Sequence, residues 1–382
     1  MKEVILHIGM HKTGSTSIQE AFGGFKDGET KYAALGYVNH SIPFFTAFAA
    51  NYKKYHVWKN IGLSEAEIED KRRQTRAHVL RELEDKRFKR LIFSGEDIAT
   101  LTLQDLDEVK AFMAPHAAKI RVYAYVRTPA EFSSSALQQT IKGGLKDGRA
   151  PSPKYRTRFE KFILQFGADS VFFREFSRPN LKDGSVVADF ADWIGLRNAP
   201  PAAKYANESL SLDAARLIYL FNREGPLSKG DRVVFRARQR FIKAMGRALP
   251  GKFTLPPHLV REAIDLEDAR WMERVSGVRF NLDALDAGDA HYDSIDAFLS
   301  DIGDDLMPKL RQVMQAHAIS GDFGDDLVKM LTRLFYSYIG YTGGFDPQAY
   351  LAFNPDIKAK GVNVYKHFVE HGVAEGRRFS EN

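Results

Sequence analysis

The 382-residue chain contains no cysteine. That excludes disulfides, thiolate metal centres and a cysteine nucleophile, and it fits a cytoplasmic location. Long apolar runs are also missing. None approaches the ~20 residues of a membrane span, and the first, Val4 to Ile8, is too short for a signal peptide. No membrane span is expected. Neither charge sign dominates: Lys and Arg total 55 against 49 Asp and Glu, a net charge of +6. An excess this mild suits an anionic small molecule or an acidic polymer. It is too small to argue for nucleic acid, and the aromatic residues do not interleave with basic ones on any stacking platform. No nucleic-acid partner is expected.

What is present is a repeated alternation of short apolar runs and helical patterns. Val4–Ile8 reads as a buried strand, followed by a glycine turn and a helix carrying Ile18, Ala21, Phe22 and Phe25. A basic helical segment over 64–87 leads into a strand in "RLIFSGED" (90–97), and "LQDLDEVKAFM" (103–113) is helical. A third strand, turn and helix fill 119–139. A fourth strand lies in 169–177, and a helix over 186–196 ends at Gly195. This order predicts an α/β fold: a P-loop-like, three-layer α/β/α arrangement around a parallel sheet. A mostly helical C-terminal part follows. Leu327, Met330, Leu331, Leu334, Phe335 and Tyr338 form a stripe of period 3.6, read as a core helix. The expected domains are 1–292 (α/β core about 1–225), a helical connector 293–344 ending at the Gly343-Gly344 pair, and a small helical module 345–382. In that module Asp346-Pro347 and Asn354-Pro355 each place a cap before a proline at the first helical position.

The stretch "LHIGMHKTGSTSIQ" (6–19) carries the clearest chemical signal. A nucleotide triphosphate loop sets its lysine after the last glycine. Here Lys12 comes before Gly14. The physical parts are nevertheless those of a phosphate cradle: a strand, a tight turn at Gly14, and a helix N-terminus. Ser15 and Thr16 bring hydroxyls to it and are expected as helix caps. Lys12 can reach an atom that bridges a phosphate and a leaving group.

This order resembles the 5′-phosphosulfate loop of the sulfotransferases that use 3′-phosphoadenosine-5′-phosphosulfate (PAPS). A second stretch, "VYAYVRTPAEFSSSAL", resembles that family's 3′-phosphate site. The resemblance implies Arg127 at a strand end and Ser135 eight residues later in the next helix; Ser133 and Ser134 are alternatives. Thr128-Pro129-Ala130-Glu131 reads as a capping box with proline at the first helical position, so a helix starts directly after Arg127. The resemblance further implies that Lys12, Thr13, Gly14, Ser15, Thr16, Arg127 and Ser135 bind PAPS. A sulfuryl group then passes to an acceptor hydroxyl, and Lys12 stabilises the leaving phosphate.

The resemblance also implies a base after a strand between the two stretches. Glu96, at the end of a strand, is the candidate; Asp97 and His40 are alternatives, and His11 adjoins the loop. His7, inside the first strand, reads as packed. "YANESLSLDAARLIYLFN" (205–222) and "LPPHLVREAIDLEDARWMERVSG" (255–277) resemble later parts of bacterial members of the family. Asn207 and Ser209 are cleft candidates there, and Ser209 or Ser211 a helix cap. The tail from 345 resembles a short module appended to bacterial polysaccharide-modifying enzymes. By that association the expected acceptor is a bacterial glycan or glycoconjugate. The basic segments at 71–90 and 230–243 either line an acceptor cleft or are solvated helix faces.

No metal is expected. Asp304-Asp305 and Asp325-Asp326 fall among amphipathic helices. His367 and His371 have a spacing that zinc can use but no third ligand. Two rivals remain on the sequence: a P-loop kinase using Mg-ATP, and a non-catalytic nucleotide-binding adaptor in polysaccharide assembly.

Overall fold

The computed structural model describes residues 2–201, 209–225, 232–286, 291–317, 319, 323–341, 345–362, 364–372 and 375–379. In chain order, the elements begin β1 (Lys2–His7), α1 (Ser15–Phe22), β2 (Lys26–Asp27), β3 (Thr30–Tyr32), α2 (Ser41–Phe48), α3 (His56–Ile61) and α4 (Glu65–Glu84). There follow β4 (Arg90–Ser94), α5 (Leu103–Met113), β5 (Ala117–Val126), α6 (Pro129–Lys142), α7 (Tyr155–Phe166), β6 (Val171–Glu175) and α8 (Val186–Trp193). The remaining helices are α9 (Leu212–Glu224), α10 (Arg232–Ala248), α11 (Pro257–Arg261), α12 (Leu266–Ser276), α13 (Ile295–Ser300), α14 (Leu306–Ala316), α15 (Leu327–Tyr341), α16 (Pro347–Phe353), α17 (Pro355–Lys360) and α18 (Val364–His367). The chain is mixed α/β.

Two compact units are present. One comprises Met1–Phe132, Ser152–Ala206 and Ile264–Ala284; the other, Ser133–Pro151, Asn207–Ala263 and Leu285–Asn382.

The first unit holds one six-stranded sheet of order β2-β3-β4-β1-β5-β6. Every neighbouring pair is parallel except β2 with β3. Side chains alternate across it. Ile5, Ile92, Tyr123 and Tyr125 pack with Ile18 and Phe22 of α1 and with Val186 and Phe190 of α8. The opposite face meets other helices: Phe93 touches Phe44 of α2, and Phe173 touches Phe159 of α7, with ring centroids 5.2 and 5.3 Å apart. Helices therefore cover both faces. The sequence led to four strands. The two that it missed, β2 and β3, have two and three residues, too few to show a period.

The second unit is helical. Phe221 of α9 meets Phe241 of α10 and Phe335 of α15 at 5.1 and 5.2 Å. Ser211 caps α9 by accepting from Ala214 N at 3.0 Å. In the tail, Asp346 caps α16 through Gln348 N. Asn354 begins α17 but turns its side chain to the Tyr350 and Arg378 carbonyls. The Gly343-Gly344 linker lies outside the described residues, as does Asn207.

Candidate functional site

Because β3, β4, β1, β5 and β6 run parallel, their C-terminal ends share one edge of the first unit. From β1 the chain moves to β3 and β4 on one side; from β5 it moves to β6 on the other. The order reverses between β1 and β5, and open α/β sheets build binding sites at such a point. The loops after β1 and β5 carry Lys12 and Arg127.

The first loop is tied to β5 by two bonds, Ile8 N to Tyr123 O at 3.0 Å and Met10 N to Tyr125 O at 2.8 Å. It turns through left-handed backbone at Gly9, Lys12 and Gly14, with φ of 88°, 71° and 75°. For a lysine this conformation is uncommon, and such strain gathers at functional sites. Gly14 is required twice over. Its φ favours glycine, and a Cβ there would lie 2.9 Å from Val186 Cγ1 and 3.2 Å from Phe176 Cε2.

Gly14 is also the N-cap of α1, and no side chain caps that helix. The expectation that Ser15 and Thr16 cap it is therefore corrected. Once Gly14 takes the cap position, they become the first helical residues. Thr16 is exposed. Ser15 is buried, and its Oγ meets no partner among the described residues. Thr13 turns inward, its hydroxyl donating to Met10 O at 2.6 Å. The helix thus presents an uncapped N-terminus with an unsatisfied serine hydroxyl beside it, the chemistry of an anion site.

Arg127 follows β5 directly. Its guanidinium lies over the Phe176 ring, 4.7 Å from the centroid. Burial lowers its pKa, Glu131 works against that, and Arg178 adds to it. Its Nε is buried with no partner among the described residues. Thr128 Oγ1 accepts from Glu131 N at 3.4 Å, at the start of α6. Ser135 lies further along α6, in the stretch assigned to the second unit, and is half-buried. The two neighbouring hydroxyls are engaged within that unit. Ser133 donates to Pro151 O at 2.7 Å and Ser134 accepts from Leu255 N at 3.0 Å.

Neither a family model, nor a curated protein, nor a solved structure matches this chain. The functional reading rests on the site itself.

Glu96 forms a wall of the first loop: a Cβ on Gly9 would stand 3.0 Å from Glu96 Cβ. Its carboxylate accepts from Gln19 Nε2 at 2.8 Å and from Asn39 Nδ2 at 3.3 Å. His40 is a core residue. Its Nε2 meets Ala33 O at 3.0 Å, and its Nδ1 accepts from Ser94 N at 3.1 Å. Burial pulls its pKa down to about 3. Both nitrogens are spent, which gives it a structural task. His7 is packed as expected, with Nδ1 2.7 Å from Ser94 Oγ.

A further cluster was only half legible in the sequence. His11 Nε2 lies 3.0 Å from Asp97 Oδ1, and Tyr55 Oη donates to Asp97 Oδ2 at 2.7 Å. Arg158 Nη1, from α7, lies 3.4 Å from His11 Nδ1. Burial works to raise the Asp97 carboxyl, and the bonds from His11 and Tyr55 outweigh it, so it titrates below its usual value. Adjacency to Lys12 pointed to His11. Nothing local marked Arg158 or Tyr55, which only the tertiary fold brings in.

Among the described residues no group of three or more His, Asp or Glu side chains is placed to hold a metal. His367 and His371 pack with ring centroids 5.3 Å apart, and Tyr350 Oη is 3.0 Å from His367 Nδ1. Among the described residues no helix is long and apolar enough to cross a membrane.

Proposed function

We propose that the chain is a PAPS-dependent sulfotransferase acting on an acceptor hydroxyl, with a bacterial glycan or glycoconjugate as the acceptor class. One observation carries the reading. Two buried donors have no partner among the described residues: Ser15 Oγ, at the start of the helix that follows β1, and Arg127 Nε, directly after β5, and β1 and β5 are the strands that flank the switch in strand order. Unpaired buried donors cost free energy, and a ligand with two separate phosphate groups relieves both. The order of parts is P-loop-like, with lysine ahead of the glycine. These residues fit a donor that is phosphorylated at both ends of its ribose.

In this reading the uncapped start of α1 and Ser15 hold the 5′-phosphate end, and Thr13 and Thr16 contribute loop backbone there. Arg127 holds the 3′-phosphate. The bound donor supplies a sulfuryl group on a phosphate leaving group. Lys12 neutralises the charge that builds on the departing oxygen, an electrostatic role that typically contributes ~10²–10³ in rate. A proton acceptor at this rim completes the reading, and Glu96 is the sequence's candidate for it.

The test is conversion of PAPS to 3′,5′-adenosine bisphosphate, followed by chromatography with a panel of glycans. Wild-type turnover that drops ~100-fold or more in Lys12→Ala supports the reading. Equal turnover in the variant contradicts it, and phosphate transfer from Mg-ATP in its place would put a kinase first.

A further inference from the structure

The carboxylate of Glu96 is engaged by two amide side chains, whereas the imidazole beside Lys12 is held as a general base is held. Arg158 has no acceptor atom, so the 3.4 Å contact at Nδ1 makes that nitrogen the acceptor in the neutral ring. The ring proton then sits on Nε2 and points at Asp97, 3.0 Å away. Asp97 is itself fixed: Tyr55 donates to its other oxygen, and its backbone N donates to Ser41 Oγ at 3.0 Å. A carboxylate, an imidazole oriented by it and a lone pair on the far nitrogen make up a base and its orienting group. His11 remains open to its surroundings, with 38% of its side chain exposed. Among the described residues the lone pair meets one contact, at the long limit of a hydrogen bond. Arg158 is anchored separately, its Nε donating to Pro153 O at 2.7 Å.

We propose that His11, oriented by Asp97, takes the acceptor's proton, and that Glu96 fixes the loop. This inference rests on the sulfuryl-transfer reading. The acceptor oxygen replaces the Arg158 contact at Nδ1 and can accept from Arg158 Nη1 while giving up its proton. As the new oxygen–sulfur bond forms, the bond from sulfur to the bridging oxygen breaks. Its electron pair leaves with the nucleotide phosphate, beside Lys12. The proton passes to His11 Nδ1, and Asp97 stabilises the charged ring. His11 is then a catalytic residue and Asp97 a positioning residue. The charged and titratable groups that meet the ring are Asp97 and Arg158, with Tyr55 and His56 acting on Asp97; Lys12 and Glu96 are the chain neighbours of His11 and Asp97.

The test is an NMR titration of the full chain that reads the His11 ring Cε1–H resonance, assigned by its loss in His11→Gln. Adding 3′,5′-adenosine bisphosphate brings negative charge to the loop, so the resonance should move and its titration midpoint rise. Asp97→Asn should lower the midpoint, because the imidazolium loses its partner charge. PAPS turnover, with water as the probe acceptor, should fall ~100-fold in His11→Gln, while bisphosphate affinity changes by less than about threefold. The acid limb of the turnover profile should disappear with the imidazole and move to lower pH in Asp97→Asn. Bisphosphate that binds without moving the His11 resonance overturns the inference and leaves the nucleotide reading intact. So does a greater loss of turnover in Glu96→Gln than in His11→Gln. Failure of the bisphosphate to bind at all overturns both.

Discussion

Phe176 touches both halves of the candidate site. Its ring lies 4.7 Å below the Arg127 guanidinium, and its Cε2 would be 3.2 Å from a Cβ placed on Gly14. One residue just past β6 thus sets the glycine turn and the arginine at a fixed separation.

Gly14→Ala should damage the site through that contact. The added methyl meets Val186 at 2.9 Å and Phe176 at 3.2 Å, in left-handed backbone with φ of 75°. Left-handed strain of ~1–2 kcal/mol and overpacking of ~1–3 kcal/mol both act. A lowered Tm with weakened bisphosphate binding is the expected result. Unchanged binding would show that the turn is not part of the site.

Phe176→Leu keeps an apolar residue but removes the ring beneath Arg127. Cation–π contacts contribute ~0.5–2 kcal/mol, so bisphosphate affinity should fall ~2- to 30-fold. Tm should change less than in Gly14→Ala. Calorimetry and a thermal melt on the same sample check both.

The buried histidines make stability depend on pH. Burial lowers His7 and His40 to about 3 in the folded chain, against ~6.5 unfolded. Between these values the unfolded state binds more protons, so stability rises with pH. It is fully present above ~6.5 and lost as pH falls toward 3. Each histidine contributes up to ~1.4 kcal/mol per pH unit in that window. Urea midpoints at pH 7.0, 5.5 and 4.5 should decline steadily, and less steeply in His7→Leu. Identical slopes would remove His7 from the account.

Gln19→Ala removes the 2.8 Å bond to Glu96. Hydrogen bonds to charged groups are worth ~1.5–3 kcal/mol, so stability should fall by about that amount. If Glu96 chiefly fixes the loop, bisphosphate affinity should fall with it. A stability loss with unchanged affinity would separate Glu96 from the nucleotide site.

The larger elements were legible because their signals are local. The helix over 103–113 starts at a capping box, in which Thr102 and Asp105 satisfy each other's backbone. Strands β1, β4 and β5 are apolar runs ended by turns. Lys12 and Arg127 share one edge because each follows a strand of a parallel sheet, and the alternation of strands and helices predicted such a sheet. The resemblance implies Thr13 as a cofactor-binding residue, but its hydroxyl is bonded to Met10 O, a contact that depends on the turn's φ values, which a sequence does not print. Ser15 and Thr16 looked like caps for the same reason. His40 was kept as an alternative base because its burial beneath Tyr32, with ring centroids 4.6 Å apart, depends on the missed strand β3. The Arg158–His11–Asp97–Tyr55 cluster joins four separate segments, and no window of sequence contains it.

The most direct measurement is calorimetric titration with 3′,5′-adenosine bisphosphate, run on wild type, Lys12→Ala and Arg127→Ala, with Mg-ATP as competitor. The account predicts binding near the micromolar range, ~8 kcal/mol. Arg127→Ala should weaken it at least ~10-fold, and Mg-ATP should bind less tightly. Absence of bisphosphate binding, or tighter binding of Mg-ATP, would contradict the sulfotransferase reading.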